Sequence, residues 1–196
     1  MTPSNRVGWV TLLFLAALGL GMALCSVARA DYSRLAERVA ELVPRFGARG
    51  IELVEPVEFG VAVANACNQE RECVARLLTM AVMESGLSAA VSRSEYRDHE
   101  GDAYTDRQGV RRHKAWGLWQ QHRSTRNADV WGEDDVLVQA KAARLAQAGA
   151  VRECRGFRSV LPEVGMWRVL AGRGCLAPYS GEAARMELLV KIRRAL

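Results

Sequence analysis

The sequence predicts a mainly α domain with a small irregular or β-hairpin lobe. Apolar residues recur at helical spacing in successive stretches between residue 32 and residue 196. Pro44, Pro56, Gly86, Gly149, Pro162 and Gly172 punctuate those stretches. One long segment, residues 92–114, has no helical period, is polar, and contains "DRQG" where a hairpin turn would fit.

Residues 1–30 precede the domain. Arg6 leads into the apolar run "VGWVTLLFLAALGLGMALCSV", and "ARA" at 28–30 supplies small residues at cleavage-site spacing. A secretory signal peptide cut after Ala30 is therefore expected, placing a domain of residues 31–196 in the periplasm or outside the cell, with no stable membrane insertion. A retained anchor is the second reading, because the run is long enough to span a bilayer. A lipoprotein signal at Cys25 is the third, and the large Leu24 before it argues against that.

The chain of 196 residues carries 27 basic and 22 acidic side chains, and loss of Arg6 and Arg29 with the leader leaves a net charge of +3. That balance suits an anionic polymer and is too mild for a nucleic-acid binder. The remaining length is that of one domain with its own core, expected to be a monomer. Cys67, Cys73, Cys154 and Cys175 make an even count in an exported chain, which reads as two disulfides. Three pairings are possible, and proximity in sequence favours Cys67 with Cys73 and Cys154 with Cys175. Zinc is disfavoured: there is no CxxC pair, and His99, His113 and His122 do not fall at ligand spacing. No metal or other cofactor is expected.

The first helix, 32–43, puts Leu35, Val39, Leu42 and Val43 on one face and stops at Pro44. The second begins at Pro56, a favoured first-turn residue, and carries Val57, Val61 and Ala64 toward Cys67. The third runs from Asn68 to Ser85 with Val74, Leu77, Leu78, Ala81 and Val82 apolar. After the polar lobe, Asp134 or Asp135 caps a helix whose stripe is Val136, Ala140, Ala143 and Leu145–Ala146 and whose stop is Gly149. "LPEVGMWRVLAG" is a shorter helix with Pro162 in its first turn. The last, "GEAARMELLVKIRRAL", places Met186, Leu189, Val190 and Ile192 inside and ends basic, which suits the helix dipole.

Glu84 is the leading candidate for chemistry. It occupies the last turn of an apolar helix, where the helix's partial negative charge and an apolar setting favour the protonated form that a general acid needs. Taken alone, "ES" is a common dipeptide, and a surface glutamate explains it equally well. A second segment, "AWGLWQ" at 115–120, sets aromatic rings, a glycine and an amide in one short run, and a third, "PYSG", comes before the final helix.

In this order the three segments resemble the lysozyme-like superfamily, in particular bacterial lytic transglycosylases and goose-type lysozymes. The likeness covers residues 65–195. There a helix ends in Glu-Ser, matched by Glu84 and Ser85; a Gly-Leu-(Met or Trp)-Gln segment lines the cleft, matched by Gly117, Leu118, Trp119 and Gln120; and a Tyr-Asn-Ala-Gly segment is matched by Tyr179 to Gly181. The resemblance implies a lysozyme-like helical domain whose small lobe borders the cleft. It also implies cleavage of the β-1,4 bond between N-acetylmuramic acid and N-acetylglucosamine in peptidoglycan glycan strands, its partner and substrate.

Glu84 would protonate the glycosidic oxygen. In the transglycosylase route it then takes a proton from the sugar's 6-hydroxyl. In the hydrolytic route a second carboxylate activates water, at a separation of about 6.5–9.5 Å for inversion. Asp98, Glu100, Asp102 and Asp106 are the candidates, although each is also explained as part of a solvated charged loop. Ser85, Trp116, Gly117, Leu118, Trp119, Gln120 and Tyr179 would contact substrate, with Trp116, Trp119 and Tyr179 as stacking faces; packing is the competing role for Trp116. Trp131 and Trp167 read as core. The chain departs from the pattern at Ser180, where the family often has Asn, at His122, where goose-type enzymes have an aspartate, and in the long interval from Glu84 to Gln120. A non-catalytic wall-binding protein of the same fold is the rival from another class.

Overall fold

The computed structural model describes residues 34–93, 103–105, 109, 111–113, 115–122, 128–130 and 132–196, and Leu35–Leu196 form one contact-defined unit. It is mainly helical with a small antiparallel β element. Helix α1 spans residues 34–46, running one turn-fragment past Pro44. Pro44 is exposed at the helix end, while Phe46 packs against the core and holds the last residues helical. Helix α2, Pro56–Ala66, starts where Pro56 predicts, and Glu55 accepts from Glu58 N at 2.6 Å as its cap. Its buried face is Phe59, Ala62, Val63, Ala64 and Ala66; of the apolar residues named from the sequence, Ala64 is buried and Val57 is 63% exposed. The whole apolar composition of α2 hides which stripe faces inward.

Helix α3 is Arg71–Ser85, three residues shorter at its start than the spacing suggests. Asn68 and Gln69 adopt φ of 49° and 63°, forming the reversal that lets Cys67 at the end of α2 bond to Cys73 in the first turns of α3. Val74, Leu77, Leu78 and Ala81 are fully buried. A short helix α4, Ala89–Ser92, follows, capped by Ser88. β1 (Ala103–Thr105) pairs antiparallel with β2 (Arg111–His113); residues 106–108 of the "DRQG" segment between them lie outside the described residues. A second ribbon pairs β3 (Ala115–Trp116) with β4 (Gln121–His122), so Gly117–Gln120 is its tight loop.

Helix α5, Val136–Cys154, is capped by Asp135, whose Oδ1 accepts from Leu137 N and Val138 N at 2.7 and 3.1 Å. It does not stop at Gly149. That glycine is buried within the helix, which continues for a further turn so that Cys154 reaches Cys175. Leu145, expected in the stripe, is 59% exposed, and Gln139 and Gln147 take buried places. Helix α6 is Pro162–Leu170 and helix α7 is Glu182–Ala195, with Leu189 and Ile192 buried and Val190 largely on the outside. In the core α5 lies against α2 and α6, and α3 lies against α7. That last pairing is what brings the two ends of the domain to Glu84. No helix among the described residues is long and apolar enough to cross a membrane.

Candidate functional site

Glu84 closes α3, and the chain beyond it is pinned. Gly86 takes the left-handed conformation at φ 62° that ends the helix, its N–H donating to Val82 O. A side chain there would also collide with Ala48 Cβ, so this position needs glycine twice over. Leu87 shares the left-handed region at φ 63°, an uncommon choice for a large residue, and is held there by burial. Three backbone bonds from the loop before α2 clamp the segment: Ala48 N to Gly86 O, Val54 N to Leu87 O, and Ala89 N to Glu52 O, each 2.9 Å. Ser85 turns its hydroxyl inward, donating to Ala81 O at 2.8 Å and accepting from Leu87 N at 3.2 Å. Its structural part is thus to shape the turn after Glu84.

The partner of the Glu84 carboxylate is Arg185, on α7, which donates to it through Nη2. The unfavourable place of an anion at a helix C-terminus is therefore answered by a cation from another element. Arg185 stands one turn into α7 and four and seven residues before Leu189 and Ile192, so the helix's own buried stripe aims it inward. Its guanidinium carbon lies 5.7 Å from the ring centres of both Trp167 and Tyr179, within cation–π range of each. The Tyr179–Gly181 turn is equally determined: a Cβ on Gly181 would strike the Tyr179 ring, and Glu182 N donates to Tyr179 O at 3.2 Å.

Burial pushes the Tyr179 phenol above its ordinary value; Arg185 opposes this, while Glu84 and Glu182 reinforce it. Tyr179 is therefore a protonated hydroxyl at neutral pH, available as a donor. Arg168 anchors the turn from below, donating from Nε and Nη2 to Glu182 at 2.6 and 3.0 Å and from Nη1 to Cys175 O at 3.1 Å. Four polar atoms of Arg185 and the two rings it lies over are buried with no partner among the described residues: Trp167 Nε1, Tyr179 Oη, and Arg185 Nε and Nη1.

The second segment docks on the helix that carries Glu84. Trp119 is fully buried, its Nε1 donating to Leu77 O of α3 at 2.8 Å and its ring stacked on Phe59 at 5.9 Å. Trp116 is also buried, its Nε1 donating to Glu133 O at 3.1 Å. Both indoles therefore have core positions rather than the sugar-stacking faces expected of them, and Leu118 is likewise enclosed. Gly117 at φ 66° packs so closely on Gln139 that any side chain would overlap its amide. Gln139 Oε1 accepts from Leu118 N at 2.9 Å, and its Nε2 donates to Ser92 O at 2.9 Å and Glu133 O at 3.1 Å. Gln120, half-buried at φ 45°, folds its amide back onto Gly117 O at 2.9 Å.

The structure thus brings Glu84 and Tyr179 into one cluster and seats the Gly117–Gln120 loop against the same helix. Asp98, Glu100, Asp102 and Asp106, proposed as a second acid, lie outside the described residues, as does Trp131. Arg185, Gln139 and the place of the Trp167 ring beside Arg185 escape the sequence reading; the available signal was an arginine and a glutamine on otherwise apolar helix stripes. Among the described residues no group of three or more His, Cys, Asp or Glu could hold a metal ion.

The fold and this cluster define a disulfide-linked, mainly helical domain in which a glutamate at a helix end is ion-paired to an arginine that lies over two aromatic rings. Comparison of the chain with protein-family models, with curated proteins and with solved structures finds no match.

Proposed function

We propose that the protein is an exported lytic transglycosylase that cuts the β-1,4 bond between N-acetylmuramic acid and N-acetylglucosamine, with Glu84 as general acid and then base. The observation that carries this reading is the convergence of Glu84 and Tyr179, 95 positions apart in sequence, on one cluster of buried donors. In the reaction the Glu84 carboxyl gives its proton to the glycosidic oxygen, which leaves with the bonding pair. The substrate's acetamido oxygen stabilises the cationic carbon. The Glu84 carboxylate then removes the 6-hydroxyl proton as that oxygen bonds to the same carbon, giving an anhydro end. Tyr179 supplies a donor beside the reacting oxygens, while Ser85 and Gly86 fix the carboxyl's position through the turn they build. Residues 1–30 serve as the export signal in this reading.

Two alternatives have their own supports. A hydrolytic lysozyme would draw its second carboxylate from Asp98, Asp102 or Asp106 in the lobe. A wall-binding protein without activity is favoured by the Glu84–Arg185 ion pair, which already engages the carboxylate. Digestion of purified peptidoglycan, followed by mass analysis, separates the three: anhydro-muramic ends support the transglycosylase, reducing ends the hydrolase. Intact glycan with measurable binding would leave the wall-binding reading.

A further inference from the structure

The Cys154–Cys175 disulfide gathers two exposed loops at one place on the surface. Cys154 ends α5 and the chain turns at once, Phe157 N donating to Cys154 O at 3.0 Å and Val160 N to Phe157 O at 3.3 Å. Leu161 precedes α6, and a Cβ on Gly165, one turn later, would strike the Cys154 side chain. From the far end of α6 the chain returns to the same point. There Cys175 is bonded to Cys154 with their Cα atoms 5.5 Å apart, Arg168 donates to the Cys175 carbonyl, and Ala177 N donates to Gly174 O at 2.9 Å. Both cysteines are buried.

The loops themselves present apolar side chains and positive charge. Phe157 is 41% exposed, Leu161 65% and Leu176 54%, three of the eight large apolar side chains exposed among the described residues. One such side chain needs no explanation, whereas three on loops tied by one covalent bond make a patch that marks an interaction surface. Arg155 and Arg158 of the first loop and Arg173 of the second are exposed and form no ion pair among the described residues. Arg152, in the last turn of α5, is exposed as well. Against these charges stands one exposed acid, Glu153; the other acid of the stretch, Glu163, faces Arg76 and Arg193.

The two features together select the occupant. A soluble anionic polymer meets the arginines but offers nothing to Phe157, Leu161 and Leu176. A second copy of the chain fits poorly, because a two-fold contact sets the patch against itself and brings the arginines face to face. An anionic lipid surface satisfies both features. Apolar side chains enter the boundary of the acyl region, while arginines lie along it and take headgroup phosphates with their planar forks.

We propose that the loops around Cys154–Cys175 are a peripheral docking surface for anionic phospholipid membranes, with Phe157, Leu161 and Leu176 inserting and Arg155, Arg158 and Arg173 on the headgroups. The disulfide is the frame of this surface, since it holds both halves together before a membrane is met and so lowers the ordering cost of binding. Docking does not depend on the cleavage reading above.

The test adds full-length protein to vesicles of phosphatidylglycerol and phosphatidylcholine in equal parts, and to vesicles of phosphatidylcholine alone. Hydrogen exchange is read peptide by peptide, so contact made by residues 1–30 is seen separately. Anionic vesicles are expected to slow exchange across residues 155–161 and 172–177, and neutral vesicles to do so only at lipid concentrations at least about tenfold higher. An arginine near an anionic surface strengthens binding about fivefold, so the combined Arg155→Gln, Arg158→Gln and Arg173→Gln variant should raise the lipid concentration at half protection by at least about tenfold. The combined Phe157→Ser, Leu161→Ser and Leu176→Ser variant should raise it by at least about tenfold too, through lost apolar burial. The single variants Arg158→Gln and Leu161→Ser, each expected to raise it about fivefold, carry the test if a combined variant does not fold.

Unchanged exchange in these two loops, equal protection by neutral vesicles, or variants that match the wild type overturn the proposal. Dextran sulfate that protects the loops equally well, with the serine variant unaffected, makes the patch a site for anionic polymers instead. Protection that needs no lipid and grows with protein concentration makes it a contact between copies, which also overturns membrane docking.

Discussion

Gln139 of α5 accepts a 2.9 Å hydrogen bond from Leu118 N and thereby fixes the loop that follows β3. The same amide donates to Ser92 O and Glu133 O, so one side chain joins the end of α4, the second ribbon and the start of α5. Replacement by alanine strands two buried backbone groups, Leu118 N and Ser92 O, at a cost of about 1–3 kcal/mol each where water cannot reach them, while Glu133 O keeps its bond from Trp116 Nε1. Gln139→Ala is expected to lower the melting temperature by on the order of 10 °C, read by calorimetry. A change within error would show that water replaces the amide.

Trp119 ties the same loop to the helix bearing Glu84 through Leu77 O. Trp119→Phe preserves the stack on Phe59 but leaves that carbonyl without the indole, and opens space where the second ring packed. A loss of about 2–3 kcal/mol in denaturant unfolding is expected, from a lost buried bond and a small cavity. Activity per folded molecule should fall less than stability does, because the ring is buried in the core.

The Cys154–Cys175 bond closes a loop of 21 residues that contains α6 and ends at the carbonyl Arg168 holds. On chain entropy alone its removal costs about 3 kcal/mol. The paired Cys154→Ser and Cys175→Ser variant should unfold at correspondingly lower denaturant. It should also loosen the Tyr179 turn, visible as faster amide exchange at Glu182 and Arg185.

Glu72 in the first turn of α3 faces Arg193 of α7 and Arg76 of its own helix, and Glu163 of α6 joins both arginines. Burial alone would raise the Glu72 carboxyl, but hydrogen bonds and charge from Arg193 and Arg76 outweigh it and hold the group below its ordinary value of 4.5. A depressed value in the fold means the contribution is complete above pH 4.5 and disappears as pH falls through the lowered value. Wild type should therefore exceed Glu72→Gln in stability at pH 7, with the gap closing in more acidic solution. Melting curves across pH decide it; a constant gap would contradict the assignment.

Glu84→Gln keeps shape and a hydrogen-bonding group toward Arg185 but holds no transferable proton. Release of soluble fragments from peptidoglycan should fall by on the order of 10²–10⁴-fold. Unaltered release would remove Glu84 from the chemistry altogether.

Much of the architecture was legible in the chain. Pro56, Pro162, the Asp134–Asp135 pair and Gly86 mark helix ends by local chemistry that operates without the rest of the protein; all hold in the structure, which takes Asp135 of the pair as the cap. The errors occurred where packing overrules such signals. Gly149 looks like a stop, yet burial carries α5 through it; Leu145 looks like core, yet neighbouring positions face the interior. A glycine or a leucine has no means of recording which side another helix will cover.

Sequence alone determined the helical class and Glu84 at the end of an apolar helix before a glycine stop, and by proximity it favoured one of three cysteine pairings, the one the structure has. These follow from spacing, φ preferences and short loops. Tertiary structure decided what surrounds Glu84: that Arg185 from 101 residues away answers its charge, that Tyr179 and Trp167 flank that arginine, and that Trp119 belongs to the core. Such contacts depend on how α3 meets α7 and on what lies under the second ribbon, and a one-dimensional pattern records a residue's own face but not the neighbour that will cover it.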